Sequence, residues 1–396
     1  MITSKLIAFL RNPGYDFPIN HSESKVMPLT DYRTLGRSGL VVSPFCLGTM
    51  TFGTARWGSG EEASRAVFNA YVEAGGNFID TADVYSSGRS EEMLGRFIQE
   101  QSLRDRVVLA TKSGFADGHG PHAGGNGAKH IYAALERSLR RLRTDYIDMY
   151  WVHVWDSVTP AEELLETMAA LVRSGKIRYW GLSNTPAWYI AKLATLAQVR
   201  GLPGPIALQY FYSLANRDIE DEYVPMAAEF GMGIVPWSPL AFGLLTGKYD
   251  RTVVEASATR AGGLPREAAK EGEQRAEGDK RLDGANPFGD TLFTDKNWEI
   301  VDTLKRLATE TGLSPAQIAL SWITAQRGVT STLMGVSRME QVSANVAALE
   351  VVLSAEHRKV LDEISAPEQK MLYSLFTPLL RQHAVFGGST VRTWLS

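Results

Sequence analysis

The chain has 396 residues, 44% of them hydrophobic, and its 41 Lys and Arg against 44 Asp and Glu leave a formal charge of −3. This is the composition of an ordinary soluble globular protein, and so even a balance excludes the basic field that sequence-independent binding to nucleic acid needs. A single cysteine, Cys46, excludes an intrachain disulfide and, with seven scattered histidines, gives no metal-site spacing.

At the N-terminus, Leu6 to Leu10 is apolar but is cut off by Arg11, Asn12 and Pro13, short of the roughly 7 to 15 residues of a signal h-region. No uncharged run nears the ~20 residues that span a bilayer. The expectation is a cytoplasmic protein with no membrane partner. Residues 1–30 lack any period and read as an extension. From Asp31 onward short apolar runs alternate with longer segments of helical period. Cys46-Leu47-Gly48 precedes Glu61 to Ala74, Asn77 to Ile79 precedes Glu91 to Gln99, and Val107 to Ala110 precedes Ala128 to Leu142. Ile147 to His153 precedes Ala161 to Val172, Tyr179 to Leu182 precedes Ala187 to Val199, and Ile206 to Phe211 precedes Ile219 to Phe230. Gly233 to Trp237 and Ser331 to Val336 complete eight β units, the number that closes a parallel (β/α)₈ barrel.

An open doubly wound sheet would carry a Gly-rich turn directly between strand and helix. The two loose matches, Gly58 to Ala63 and Gly118 to Ala123, lack that setting. Residues 250–290 break the rhythm as a long loop after the seventh strand, read either as a lid or as a solvated insertion. Helices at Trp298 to Glu310 and Ala316 to Gln326 follow, the second announced by Ser314-Pro315. The barrel is expected over 31–366. Residues 367–396 form an apolar C-terminal extension with Met371, Leu372, Tyr373, Leu375, Phe376, Leu379, Leu380, Val385, Phe386, Trp394 and Leu395. A short helix there should stop at Pro378, and so apolar a tail should cover either the barrel mouth or another subunit.

In such a barrel the strand ends converge. Asp80 and Tyr85 follow the second strand, Lys112 ends the third and His153 the fourth. Together they suit carbonyl reduction, in which the substrate oxygen gains negative charge and needs a proton donor held against it. Tyrosine is too weak an acid near neutrality unless it is perturbed. A lysine ammonium anchored by a carboxylate supplies that perturbation, so Tyr85 donates, Lys112 and Asp80 tune it, and His153 orients the carbonyl. Trp57 and Trp155, on loops after the first and fourth strands, are candidates for an apolar substrate wall.

With these four residues in place, the chain over 31–366 resembles the aldo-keto reductase superfamily. The likeness extends in order through Gly48-Thr49-Met50-Thr51-Phe52-Gly53, Gly175 to Arg178, Gly181 to Asn184, Gln209-Tyr210, Trp237 to Leu240, Gly243 to Tyr249 and Gly335 to Arg338. It is nearest the branch of bacterial and plant reductases and potassium-channel β subunits. The resemblance implies an extended NADP(H) cofactor without a Rossmann unit. It assigns Gly48, Thr49, Met50 and Asp80 to the cofactor site, Ser183, Asn184 and Gln209 to the carboxamide, and Trp237 to the nicotinamide ring. Ser238, Pro239, Leu240, Gly243, Leu245 and Lys248 fall at the pyrophosphate, and Gly335, Ser337, Arg338, Gln341 and Asn345 at the adenosine end. Arg338 is the implied partner of the 2′-phosphate, and Ala344 departs from the Glu that many members carry there. The implied partner is a small carbonyl or alcohol substrate, with a homo-oligomer left open. The alternative is a cofactor-sensing partner of a membrane channel with little turnover.

Overall fold

The structure, a computed structural model, describes residues 28–54, 58–252, 289–368 and 370–391. A short antiparallel hairpin, β1 (Arg33–Thr34) with β2 (Val41–Val42), precedes eight longer strands. These are β3 (Phe45–Gly48), β4 (Phe78–Asp80), β5 (Val108–Ser113), β6 (Ile147–Val152), β7 (Ile177–Ser183), β8 (Ala207–Phe211), β9 (Gly233–Trp237) and β10 (Thr332–Gly335). From β3 to β9 each pairs in parallel with the next in the chain, and β10 pairs in parallel with β3. The remaining seam is drawn together where the Ile234 N–H donates to the Gly328 carbonyl and the Thr330 N–H to the Ile234 carbonyl, both at 2.9 Å. The result is the expected (β/α)₈ barrel.

The strands read as continuous apolar runs because both faces are covered. Alternate residues divide between two cores. One lies between sheet and helices and includes Leu47, Ile79, Leu109, Tyr150 and Leu182. The other fills the barrel with Cys46, Phe78, Ala110, Met149, Trp151, Ala207 and Val235. Gly181 makes room for that filling, since a Cβ there would lie 2.6 Å from both Met149 and Trp151 and 2.4 Å from the Ala207 carbonyl oxygen. Periodicity does not reveal the β1–β2 hairpin, because two-residue strands are too short to show a repeat. It plugs the bottom of the barrel. Leu35, Leu40 and Val42 join the interior core, and the Arg37 N–H donates to the Gly231 carbonyl at 2.7 Å, just before β9.

Around the sheet lie α1 (Glu61–Glu73), α2 (Arg89–Glu100), α3 (Ala128–Leu142), α4 (Ala161–Arg173), α5 (Ala187–Arg200) and α6 (Tyr223–Phe230). The last is shorter than its sequence pattern suggests: Ile219 to Glu222 form a turn before it. The helix Pro315–Thr324 starts where Ser314-Pro315 places it. Ser314 Oγ accepts the Gln317 N–H at 3.2 Å, and Gln317 Oε1 accepts the Ser314 N–H at 3.0 Å, which satisfies two otherwise orphaned donors.

Residues 28–366 belong to one unit and residues 367–391 to another. In the second, Pro378 opens a helical turn (Pro378–Leu380) after Met371–Ser374 has ended, contrary to the expectation that it stops a helix. Thr377 Oγ1 caps that turn by accepting the Leu380 N–H at 3.3 Å, and a proline at the first helical position loses no hydrogen bond. Much of the long excursion at 250–290, as well as Trp57, Trp394 and Leu395, lies outside the described residues.

Candidate active site

The C-terminal edge of the barrel gathers one expected residue from each strand or its exit. Gly48 closes β3, Asp80 closes β4, Lys112 lies in the last turn of β5 and His153 follows β6 directly. Ser183 closes β7, Gln209 lies within β8, Trp237 closes β9 and Gly335 closes β10. Parallel register sets several side by side: Gly48 opposite Asp80, Ser183 opposite Gln209, and Gly335 opposite Gly48. Residues far apart in the chain therefore meet because the strands end together.

Lys112 and Asp80 are fully buried and ion-paired. An ammonium has three donors, and each has an acceptor here: Asp80 Oδ1, the Thr81 carbonyl at 2.8 Å and Tyr85 Oη at 3.2 Å. Burial opposes the Lys112 charge, yet Asp80 and Tyr85 together outweigh it and hold its pKa above the ordinary lysine value. Burial likewise raises the Asp80 carboxyl against the pull of Lys112. Gln209 Nε2 donates to Asp80 Oδ2 at 3.0 Å, so Gln209 steadies the carboxylate. Thr49 locks the same strand end, its N–H at 2.9 Å and its hydroxyl at 3.0 Å both donating to the Asp80 carbonyl.

Tyr85 is half-buried and meets His153 edge-on, ring centroids 5.9 Å apart. Burial first, and then the charge of Lys112, push the His153 pKa well below the ordinary value. The imidazole is therefore neutral at pH 7, able to hydrogen-bond but not to serve as a reservoir of acid.

The remaining expected residues line the same rim. Ser183 Oγ donates to the Gln209 carbonyl at 2.7 Å, and Asn184 Nδ2 to the His153 carbonyl at 2.9 Å and to Ser183 Oγ at 3.0 Å. These bonds leave the side-chain oxygens of Asn184 and Gln209 uncommitted to them, a donor and acceptor set that fits a carboxamide. Asn184 takes a left-handed backbone at φ 46°, which asparagine tolerates. Phe211 stacks on one face of Trp237 at 4.9 Å and 19°. Beyond Trp237, Ser238, Ala241, Phe242 and Gly243 all have positive φ, and a turn of that kind presents backbone N–H groups to an anion. Pro239 and Leu245 are buried beneath it and Leu240 is half-buried. A Cβ on Gly243 would sit 2.8 Å from Lys248 Nζ, so glycine allows the ammonium to fold over the turn. The donors present fit a diphosphate.

Arg338, expected at the adenosine end, is exposed at the start of the helix Met339–Val346 and Asn345 is half-buried, as is Met50 at the exit of β3. Gln341 Oε1 accepts the N–H groups of Ser337 at 2.9 Å and Arg338 at 3.2 Å. Gln341 thus shapes the helix entry.

A family model described as aldo/keto reductase matches residues 44–366. The chain belongs to the aldo/keto reductase family. Its relatives include a probable voltage-gated potassium channel subunit beta of Oryza sativa subsp. japonica, 35% identical across 85% of this chain and 96% of that one. Norsolorinic acid reductase B of Dothistroma septosporum is 33% identical across 82% and 78% of the two chains. An aryl-alcohol dehydrogenase [NADP(+)] of Phanerodontia chrysosporium is 31% identical across 85% and 86%. Members named as oxidoreductases and as channel subunits therefore stand at similar distance from this aldo/keto reductase chain.

Sequence reasoning missed a buried acidic pair behind Tyr85. Glu91 accepts Thr111 Oγ1 at 2.6 Å and Arg141 at 3.2 Å. Asp83, fully buried two residues before Tyr85, has no well-formed hydrogen bond to either carboxylate oxygen. Burial, and then the charges of Glu91 and Asp117, push its pKa up to about 7. The only sequence signal was an acid beside an apolar strand end. The unfolded carboxyl titrates near 3.8 and the folded one near 7, so between these values the native state holds a proton that the unfolded state releases. Stability must fall as pH rises through that window and level off above it. Asp83→Asn should remove this slope, gaining on the unaltered protein by up to about 1.4 kcal/mol per pH unit. Denaturant midpoints at pH 5 and pH 8 check it; a variant that loses ground at pH 8 contradicts the burial of a protonated acid.

Proposed function

We propose that this chain is an NADP(H)-dependent oxidoreductase that interconverts an aldehyde or ketone with its alcohol. The observation that carries the reading is the full allocation of the Lys112 donors. Because the ammonium donates a hydrogen bond to Tyr85 Oη, a buried cation stands ready to stabilise the negative charge that oxygen would carry once the phenol has given its proton to a substrate. The bound coenzyme supplies the hydride and takes it back in the reverse direction. As charge builds on the carbonyl oxygen, Tyr85 delivers its proton and Lys112 stabilises the phenolate left behind. Neutral His153, edge-on to Tyr85, hydrogen-bonds the same oxygen and orients it. Ser183, Asn184 and Gln209 would hold the carboxamide, and Trp237 the ring. The left-handed turn from Ser238 with Lys248 would hold the diphosphate, and Arg338 the 2′-phosphate, where a guanidinium can form a two-pronged contact. Among the described residues no helix is long and apolar enough to cross a membrane. The buried free thiol of Cys46 suits a reducing cytoplasm.

The likeness to the rice channel subunit supports a second reading, a cofactor-sensing partner of a membrane channel. Turnover separates the two. Tyr85→Phe removes the donor while leaving the barrel intact, so NADPH oxidation against a carbonyl substrate should fall by at least ~10², with NADPH affinity nearly unchanged. Near-normal turnover in that variant would reject Tyr85 as the donor, and its absence from the unaltered protein despite tight NADPH binding would favour the second reading.

Coenzyme choice rests on Arg338. The unaltered protein should prefer NADPH, and Arg338→Ala should weaken NADPH binding, followed by nucleotide fluorescence, by about ten-fold or more while barely changing NADH. Equal losses would place Arg338 at the shared diphosphate or in the helix alone.

A further inference from the structure

Tyr85 heads a loop whose backbone is unfavourable to hold. Ser86, Ser87 and Gly88 take φ of 49°, 56° and 90° in succession, and residues with side chains enter that left-handed region singly, seldom in a run. Such a loop keeps its shape only where its surroundings dictate it. At its crest Ser86 Oγ donates to the Phe52 carbonyl at 2.8 Å and meets Thr54 Oγ1 at 3.0 Å, which fixes it to the loop after β3. Its base is tied separately.

That tie is Arg141, in the last turn of α3. Its Nη1 donates at 3.2 Å to the Asp83 carbonyl, before Tyr85 in the chain, and at 3.2 Å to Glu91 Oε2, after it. Between these two points the guanidinium lies against Gly88, where a Cβ would come within 2.5 Å of Arg141 Cζ. One cation therefore joins both ends of the segment that carries Tyr85.

The same contacts register that segment on β5. Glu91, fully buried, accepts Thr111 Oγ1 at 2.6 Å through its other oxygen, and the Asp83 N–H donates to the Lys112 carbonyl at 3.1 Å. Thr111 and Lys112 are adjacent, so the loop is set against the very strand that carries the ammonium. The bond this register serves, Lys112 Nζ to Tyr85 Oη at 3.2 Å, is at the long end of its range, and a shift of about 1 Å would break it.

We infer that Arg141 is a positioning residue for proton transfer: by joining the Asp83 carbonyl to Glu91 it holds Tyr85 Oη on the Lys112 ammonium. This rests on the reductase reading and extends that site to a side chain of the helical shell.

Arg141→Met alone would leave the Glu91 carboxyl buried without its cation, which destabilises the fold whatever the role in turnover. Adding Glu91→Gln removes that charge, and the amide oxygen can still accept from Thr111. The test compares the unaltered protein, Arg141→Met and the double variant by denaturation midpoint and by kcat and KM for benzaldehyde and butanal with NADPH. Each kcat is taken per NADPH-binding site, counted by fluorescence titration, so that unfolded protein does not enter it. The double variant should regain the midpoint that the single variant loses, but not its kcat. That should stay about ten-fold or more below the unaltered value, with KM and NADPH affinity moved by less than about two-fold. Recovery of kcat together with the midpoint overturns the inference, because Arg141 would then only neutralise Glu91. A kcat per site that neither variant lowers, or a loss confined to KM, overturns it too, and in each of these cases the reductase reading stands. No turnover of either aldehyde by the unaltered protein removes the reductase reading and this inference with it.

Discussion

A lysine ammonium shut inside a barrel end is tolerable only if every one of its protons has an acceptor, and Lys112 meets that condition with Asp80, the Thr81 carbonyl and Tyr85. Losing one partner would leave an uncompensated buried charge, which costs several kcal/mol. The geometry around it follows from that demand. Asp80 is pinned at two points: Thr49, at β3's exit, holds its backbone carbonyl, and Gln209, from β8, holds its carboxylate. Tyr85 is half-buried, with that cation against its hydroxyl.

The same charge sets the state of its neighbours. It helps keep His153 neutral, which under the proposed reaction would divide labour at the mouth, Tyr85 transferring the proton and His153 orienting the carbonyl. Polarity is layered accordingly. Asp80, Lys112, Ser183 and Gln209 are buried beneath, whereas Tyr85, Asn184 and Trp237 are half-buried at the rim. Asp83 is the exception, an acid buried beside the Tyr85 loop without good partners. It is a stability cost at neutral pH within a site otherwise well satisfied.

The barrel was legible because eight apolar runs alternate with helical periods, and the site because Asp80, Lys112, His153, Ser183 and Trp237 each lie at or beside the end of such a run. Chain spacing alone thus predicts that they converge. What stayed hidden depends on three-dimensional neighbours. The Arg33–Thr34 and Val41–Val42 strands are too short for a pattern. Asp83 differs from an ordinary surface acid only in its burial. Gln209 and Gln341 were read for a cofactor alone, whereas the structure also gives each a bond within the protein. Pro378 was read as a helix breaker, yet with Thr377 before it the same residue starts a turn.

The most direct test of the account is the titration of Lys112 itself, followed by ¹⁵N NMR of its Nζ in the folded protein with lysine labelled and the resonance assigned by the Lys112→Met variant. An ammonium held by Asp80 should persist past the ordinary lysine value of 10.5, and Asp80→Asn should bring its midpoint down. A neutral Lys112 amine at pH 8 in the unaltered protein would contradict the account, because Tyr85 would then have no cation to stabilise the charge it acquires.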